Sequence, residues 1–96
     1  MSVKPNIAKR YDVEFAEFDG YSADECGNLI ERLREFDEDV VGFEAESGDA
    51  YELDRESLEG LLLKHPALPA DLAKFVSAML SQGGKNPFNI VRLEFY

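Results

Sequence analysis

The stretch PADLAKFVSAMLSQGGKNPFNIVRLEFY, residues 69–96, contains the two clearest structural signals in the chain. Its first half repeats large apolar residues at the spacing of one helix face, between Pro69 and the glycine pair at positions 83 and 84. Its last residues alternate, with Val91, Leu93 and Phe95 separated by Arg92 and Glu94. The stretch therefore predicts a helix followed by a strand.

Two further helices and three further strands are predicted upstream. Ser22 and Glu25 have the spacing of a capping box, and apolar residues follow them at helical spacing. A shorter helix is expected after Asp54 and ends near His65, because a proline restricts the residue before it. The strands are predicted at residues 10–18, Val40–Glu46 and Ala50–Leu53, the last two joined by a turn at residues 47–49.

The order of these elements predicts an α+β fold. The pattern βαββααβ is typical of a ferredoxin-like domain with its second helix broken in two. We therefore expect a four-stranded antiparallel sheet with the helices packed on one face, and the C-terminal strand paired with the strand at residues 10–18. The 96 residues suit a single domain, and residues 1–9 are expected to be flexible.

The acidic residues are concentrated in one part of the chain. The net charge is −10, and eighteen of the twenty acidic residues lie between Tyr11 and Glu59, against three arginines. Side chains alternate across a strand, so the strand acids should share the open face of the sheet, opposite the apolar phase. The expected partner-binding carboxylates are Asp12, Glu14, Glu44, Glu46 and Glu52, with Asp37, Glu38 and Asp39 as a second contact at a corner.

This charge excludes several classes of partner. A carboxylate-lined sheet repels phosphate, so we expect neither direct nucleic-acid binding nor attachment to a membrane surface. No apolar run is long enough to span a bilayer, the first ten residues lack the apolar stretch of a secretory signal, and Cys26 is the only cysteine. These features favour a cytoplasmic protein.

No catalytic, metal-binding or cofactor-binding motif is evident in the sequence. Cys26 lies on the apolar stripe of its helix, which indicates a buried core thiol and not a nucleophile. His65 is expected at a helix end, and residues 19–25 lack the alternating ligands of an EF-hand loop. We therefore predict a protein that is not an enzyme and carries no cofactor or metal.

The composition favours an acidic inhibitor or regulator that binds a basic protein. Such a protein would mimic nucleic acid toward a nucleic-acid-handling partner, in the manner of anti-CRISPR or anti-nuclease proteins. Tyrosines combine a large apolar ring with a polar hydroxyl, and we expect Tyr51 and Tyr96, together with Tyr21, to anchor the contact.

Two other interpretations remain open. The chain could be an accessory, immunity or antitoxin-type subunit, a monomer or a homodimer, that binds through a strand edge or a helix. Alternatively, the acids could form a solvated face that serves solubility or adaptation to high salt. Strand-edge pairing uses backbone groups, so it would tolerate neutralisation of the acids, which charge mimicry would not.

Overall fold

The computed structural model describes residues 3–10, 14–65 and 67–96. Within these ranges the chain forms five strands, three α-helices and one 3-10 turn. In chain order they are β1 (Pro5–Arg10), β2 (Glu14–Glu17), α1 (Ala23–Phe36), the 3-10 turn (Glu38–Val40), β3 (Val41–Glu44), β4 (Ala50–Asp54), α2 (Arg55–Lys64), α3 (Ala70–Gln82) and β5 (Ile90–Phe95).

The five strands form one antiparallel sheet in the order β2-β1-β5-β4-β3. The C-terminal strand β5 therefore lies at its centre, with Leu93 opposite both Ile7 of β1 and Tyr51 of β4. These residues, with Leu53 and Val91, form one core cluster with the apolar stripes of the helices. The fold is thus α+β, as expected, with the helices on one side of the sheet.

The expectation of a four-stranded sheet is wrong, because the sheet has five strands. Residues 5–9, which we expected to be flexible, belong to β1, where Ile7 and Ala8 are buried. β5 pairs with this strand through Pro5, Asn6 and Ile7, and with none of the described residues of the predicted strand at 10–18. The ferredoxin-like arrangement is accordingly not confirmed.

The sequence PNIAKR gives only a weak strand signal, because Ile7 is its one large apolar residue. Its strand conformation is imposed by tertiary context, since it pairs with β2 on one side and β5 on the other. Local alternation, the signal used for the other strands, is weak there.

The predicted helix boundaries follow from capping chemistry. Ser22 and Glu25 form the expected capping box at the start of α1, and the Asp54 carboxylate accepts a hydrogen bond from the Ser57 N–H at the start of α2. His65 is the C-cap of α2, and Gly83 is the C-cap of α3. The three predicted helices are confirmed.

The end of α3 is held against both β1 and α2. The Gly84 N–H donates to the Ala8 carbonyl at 2.9 Å, and a Cβ on Gly84 would lie only 1.7 Å from the Lys9 carbonyl oxygen. Glycine is required here by the close approach of two backbones. The buried Arg55, the first residue of α2, donates from its guanidinium to the carbonyls of Leu80, Gly83 and Gly84.

Candidate protein-binding surface

The open face of the sheet, which is the face turned away from the helices, carries a compensated charge cluster. Arg92 of β5 lies opposite Glu52 of β4, and its guanidinium forms ion pairs with Glu52 at 2.5 Å and with Glu94 at 2.8 Å. One arginine thus neutralises much of the charge of two carboxylates that lie within reach of it. This face is less acidic than the strand pattern predicts.

Aromatic rings also lie on the open face. Phe43 is opposite Glu52, is 46% exposed, and has the Arg92 guanidinium 5.9 Å from its ring centroid. Phe15 of β2 pairs with Ala8, in the phase opposite to the core residue Ile7. In the predicted strands Phe15 and Phe43 alternate with acidic residues, which places them in the apolar phase, but in the structure both lie on the open side.

A register shift in β3 explains the position of Phe43. Val41 pairs with Leu53, but Phe43 pairs with Glu52, so Gly42 is an extra residue in this strand. The bulge reverses the phase of every side chain after it, because side chains alternate with a period of two. Alternation alone could not reveal it.

The same shift moves Glu44 to the helix side of the sheet. Glu44 pairs with Tyr51, and its carboxylate accepts from the Arg34 guanidinium of α1 at 2.6 Å. The prediction that Glu44 lies on the open face is wrong. The predicted strand also ends too late, because β3 stops at Glu44 and the exposed Glu46 lies in the turn that follows.

The other predicted contact residues are scattered. Glu14 is exposed at the start of the edge strand β2, and Asp12 lies outside the described residues. Tyr51 is only 6% exposed and packs beside Phe95, so burial raises the pKa of its hydroxyl. Its ring is therefore not a surface anchor.

The remaining tyrosines differ in exposure. Tyr96 is 63% exposed and presents its ring to solvent. Tyr21 is half-buried, stacked on Phe18 at 5.3 Å and edge-on to Phe75. Of the three tyrosines named from the sequence, Tyr96 is the one whose ring is open to a partner.

The predicted acidic corner, by contrast, forms one wall of a cleft. Asp37 is the N-cap of the 3-10 turn, and Glu38 and Asp39 are exposed on it, so the strand predicted from Val40 begins one residue later. The cleft lies between this turn and α2 and has a volume of about 590 Å³. We call it the acidic cleft; it is lined by Asp37, Asp39, Gly42, Asp54, Glu56, Ser57, Gly60, Leu61, Lys64 and His65.

The four carboxylates of the acidic cleft do not have the same role. Asp54 accepts from the Ser57 N–H and hydroxyl, and Asp37 accepts from the Asp39 N–H, so these two hold the local backbone. Asp39 and Glu56 make no ion pair with any described residue, and both are exposed. They leave uncompensated negative charge in the cleft, and Glu56 is about two helical turns from Lys64 along α2.

Sequence reasoning missed the contribution of α2 to this cleft. Glu56, Gly60 and Lys64 recur every four residues, which places them along one side of a helix. That spacing is visible in the sequence, but it identifies a wall of a cleft only when the corner of the 3-10 turn is known to pack beside it.

Both edges of the sheet are poor templates for strand addition. The edge strands β2 and β3 have four residues each, and the pairing of each with its neighbour contains a register shift. Short and bulged edge strands discourage pairing with another chain. This geometry weighs against the strand-edge alternative.

Cys26 is the buried core thiol that the helix pattern predicted. Burial, with a smaller contribution from Glu25, raises the pKa of the thiol to about 12, so it stays protonated at neutral pH. Among the described residues, no three His, Cys, Asp or Glu side chains are grouped so that they could hold a metal ion. Nor does any helix in this part of the chain have the length and apolar character to cross a membrane.

The chain matches no family model, and comparisons with curated proteins and with solved structures give no significant match.

Proposed function

We propose that this protein is an acidic inhibitor or regulator in the cytoplasm whose acidic cleft receives a basic segment of a nucleic-acid-handling protein. The observation that carries the proposal is the contrast between two groups of acids. The sheet acids Glu44, Glu52 and Glu94 are paired with arginines, whereas Asp39 and Glu56 in the cleft form no ion pair with any described residue.

The mechanism is electrostatic attraction followed by occupation of the cleft. A net charge of −10 attracts a basic partner over distances comparable with the Debye length, which speeds encounter and suppresses acidic competitors. The arginine or lysine side chains with which the partner otherwise contacts nucleic-acid phosphates then pair with Asp39 and Glu56. The protein acts as a nucleic-acid mimic, in the manner of anti-CRISPR or anti-nuclease proteins.

Pairing at these two positions does not require existing bonds to be broken. A cation that binds Glu44, Glu52 or Glu94 must compete with Arg92 or Arg34, while one that binds Asp39 or Glu56 meets an exposed carboxylate. This difference favours the cleft over the open face that the strand pattern suggested.

The test is affinity capture from host lysate with the purified, tagged protein. Three baits are compared: the natural sequence, the double variant Asp39→Asn/Glu56→Gln, and the control Glu14→Gln/Glu46→Gln. The control removes the same charge at two exposed positions outside the cleft, one at the start of the edge strand β2 and one in the turn that follows β3.

We expect a basic nucleic-acid-binding protein to be retained by the natural sequence and by the control, and to be released by salt or by added DNA. The cleft variant should lose it. A partner that resists salt and DNA, or that binds all three baits equally, would contradict the proposal and favour an accessory-subunit role.

A further inference from the structure

The open face of the sheet carries a row of side chains that crosses all five strands. Neighbours in the row are cross-strand partners, and the step from β1 to β5 continues the antiparallel register of the Ile7–Leu93 pair. In sheet order the row, called the central row below, is Phe15, Ala8, Arg92, Glu52 and Phe43. Phe43 is 46% exposed and Phe15 is half-buried, whereas Ala8 is buried. The largest apolar side chains of the row therefore stand at its two ends.

The two phenylalanines lie at equal distances from the central strand. β5 is the third of the five strands, and Phe15 and Phe43 are each two strands away from it, about 10 Å on either side. A two-fold axis parallel to β5 would therefore place Phe43 of one copy of the chain over Phe15 of a second copy. Symmetry repeats this contact, so it occurs twice. The central row is complementary to itself in this arrangement.

Ion pairs reduce the repulsion between two copies at this face. The protein has a net charge of −10, which opposes self-association through acidic parts of its surface. In the central row and the row beside it, however, Glu52 and Glu94 pair with Arg92, and Glu17 pairs with Lys4. Arg92 lies on the strand that the axis follows, where its two carboxylates screen it from its counterpart in the second copy.

The face is also large enough for a stable interface. The molecule exposes 5704 Å², and one of its six sides accounts for about 950 Å², whereas a standard interface buries about 800 Å² of each partner. The helices of the described chain pack on the other side of the sheet, so none of them covers this face. Its area is therefore sufficient for a dimer.

We propose that two copies of this chain pack through their open faces, with the sheets about 10 Å apart and a two-fold axis parallel to β5. Each Phe43 packs on Phe15 of the other copy, which removes both rings from water. The inference is independent of the proposed function, because it requires no basic partner.

Sedimentation equilibrium of the full chain tests the dimer. We expect a mass twice that of the 10.8 kDa chain. Phe43→Ser should weaken the dimer about 100-fold, because each lost ring contact costs about tenfold and the symmetric interface contains two. Leu63→Ser is the matched control, since Leu63 is 83% exposed on α2, and it should leave the dimer unchanged. Far-UV circular dichroism checks that both variants fold.

Salt distinguishes this contact from binding at the acidic cleft. Added salt screens the repulsion between two chains of charge −10, so the dimer should be equally tight or tighter at high salt. A basic partner at the cleft should instead bind more weakly as salt is added. A dimer that dissociates in salt would contradict the packing of compensated faces.

A disulfide test checks the direction of the axis. In the proposed dimer Phe15 of one copy is opposite Phe43 of the other, while like residues are about 20 Å apart. A mixture of Phe15→Cys and Phe43→Cys proteins should therefore form a disulfide-linked pair in air, and either protein alone should not. The natural Cys26 does not interfere, because it is buried.

Three results would overturn the inference. They are a monomer at every protein concentration up to the solubility limit, equal effects of Phe43→Ser and Leu63→Ser, and linkage of either cysteine variant to itself in preference to the other. Each leaves the proposed function standing, whereas a dimer that captures no basic partner refutes the proposed function alone.

Discussion

Replacement of Arg55 by methionine should lower the free energy of unfolding by about 3 kcal/mol. The size of the change depends on two opposing effects, the hydrogen bonds that Arg55 donates and the cost of burying its charge. Arg55 is 6% exposed, and its guanidinium donates to the carbonyls of Leu80 at 3.4 Å and of Gly83 and Gly84 at 3.3 Å. Taking about 1 kcal/mol for each of these long bonds from a charged donor gives this figure. The carbonyls at the C-terminus of α3 also carry partial negative charge, which favours a cation there.

The opposing effect is the cost of burying a charge. Arg55 pairs with no described carboxylate, and its Nε has no hydrogen-bond partner in the described structure. If that cost prevailed, methionine, which keeps much of the aliphatic stem, would be neutral or stabilising. We expect the loss of three hydrogen bonds to prevail, because the Gly84 backbone is fixed against β1 by its bond to Ala8 and cannot easily turn its carbonyl to another donor.

Urea denaturation followed by far-UV circular dichroism measures this difference. Lys74→Met is the matched control, because it removes one positive charge from an exposed position and should change stability little. An Arg55→Met protein as stable as the natural sequence, or more stable, would refute the view that Arg55 stabilises the end of α3.

Three further predictions concern the framework of the cleft and the core. Gly84→Ala should destabilise the protein by about 3 kcal/mol in urea denaturation, because the added Cβ would meet the Lys9 carbonyl oxygen. The control Gly27→Ala should be tolerated, since no atom lies within 4 Å of its added Cβ, and equal effects of the two substitutions would contradict this expectation. Cys26 should react with a disulfide reagent such as DTNB only after unfolding, since its thiol is buried and has a pKa of about 12; rapid, stoichiometric labelling of the native protein would be inconsistent with this. Ser22→Ala should cost about 1 kcal/mol by removing the cap of α1, and an unchanged thermal midpoint would count against the capping box.

The helices were predictable because their signals are local. The Ser22 box, the Asp54 cap and the apolar stripe that begins at Leu72 all act within a few residues, and each is present in the structure. The strand PNIAKR was not predictable in this way, because its pairing depends on β5, more than eighty residues away along the chain. Local propensity carries no information about that contact.

The candidate site was predicted only in part. The acidic corner was identified from composition, but its geometry depends on how the 3-10 turn packs beside α2. The sequence places Glu44 on the wrong face of the sheet, because the bulge at Gly42 reverses the phase of the strand. It also suggests that Glu52 is available to a partner, because the pairing of Glu52 with Arg92 joins residues 40 positions apart and is not visible in the sequence. The sequence shows where the acidic residues are, whereas their pairing with arginines depends on the fold.

We propose that the acidic cleft, and not the acidic residues of the sheet, binds a basic partner. The most direct test is the dissociation constant of the captured partner at several salt concentrations, measured for the natural sequence, for Asp39→Asn/Glu56→Gln and for Glu14→Gln/Glu46→Gln. We predict that the cleft variant loses affinity by tenfold or more, the scale of about 1.4 kcal/mol, and shows a shallower dependence on salt, while the control keeps both near the natural values. Equal losses in the two variants, or a larger loss in the control, would contradict binding at the cleft.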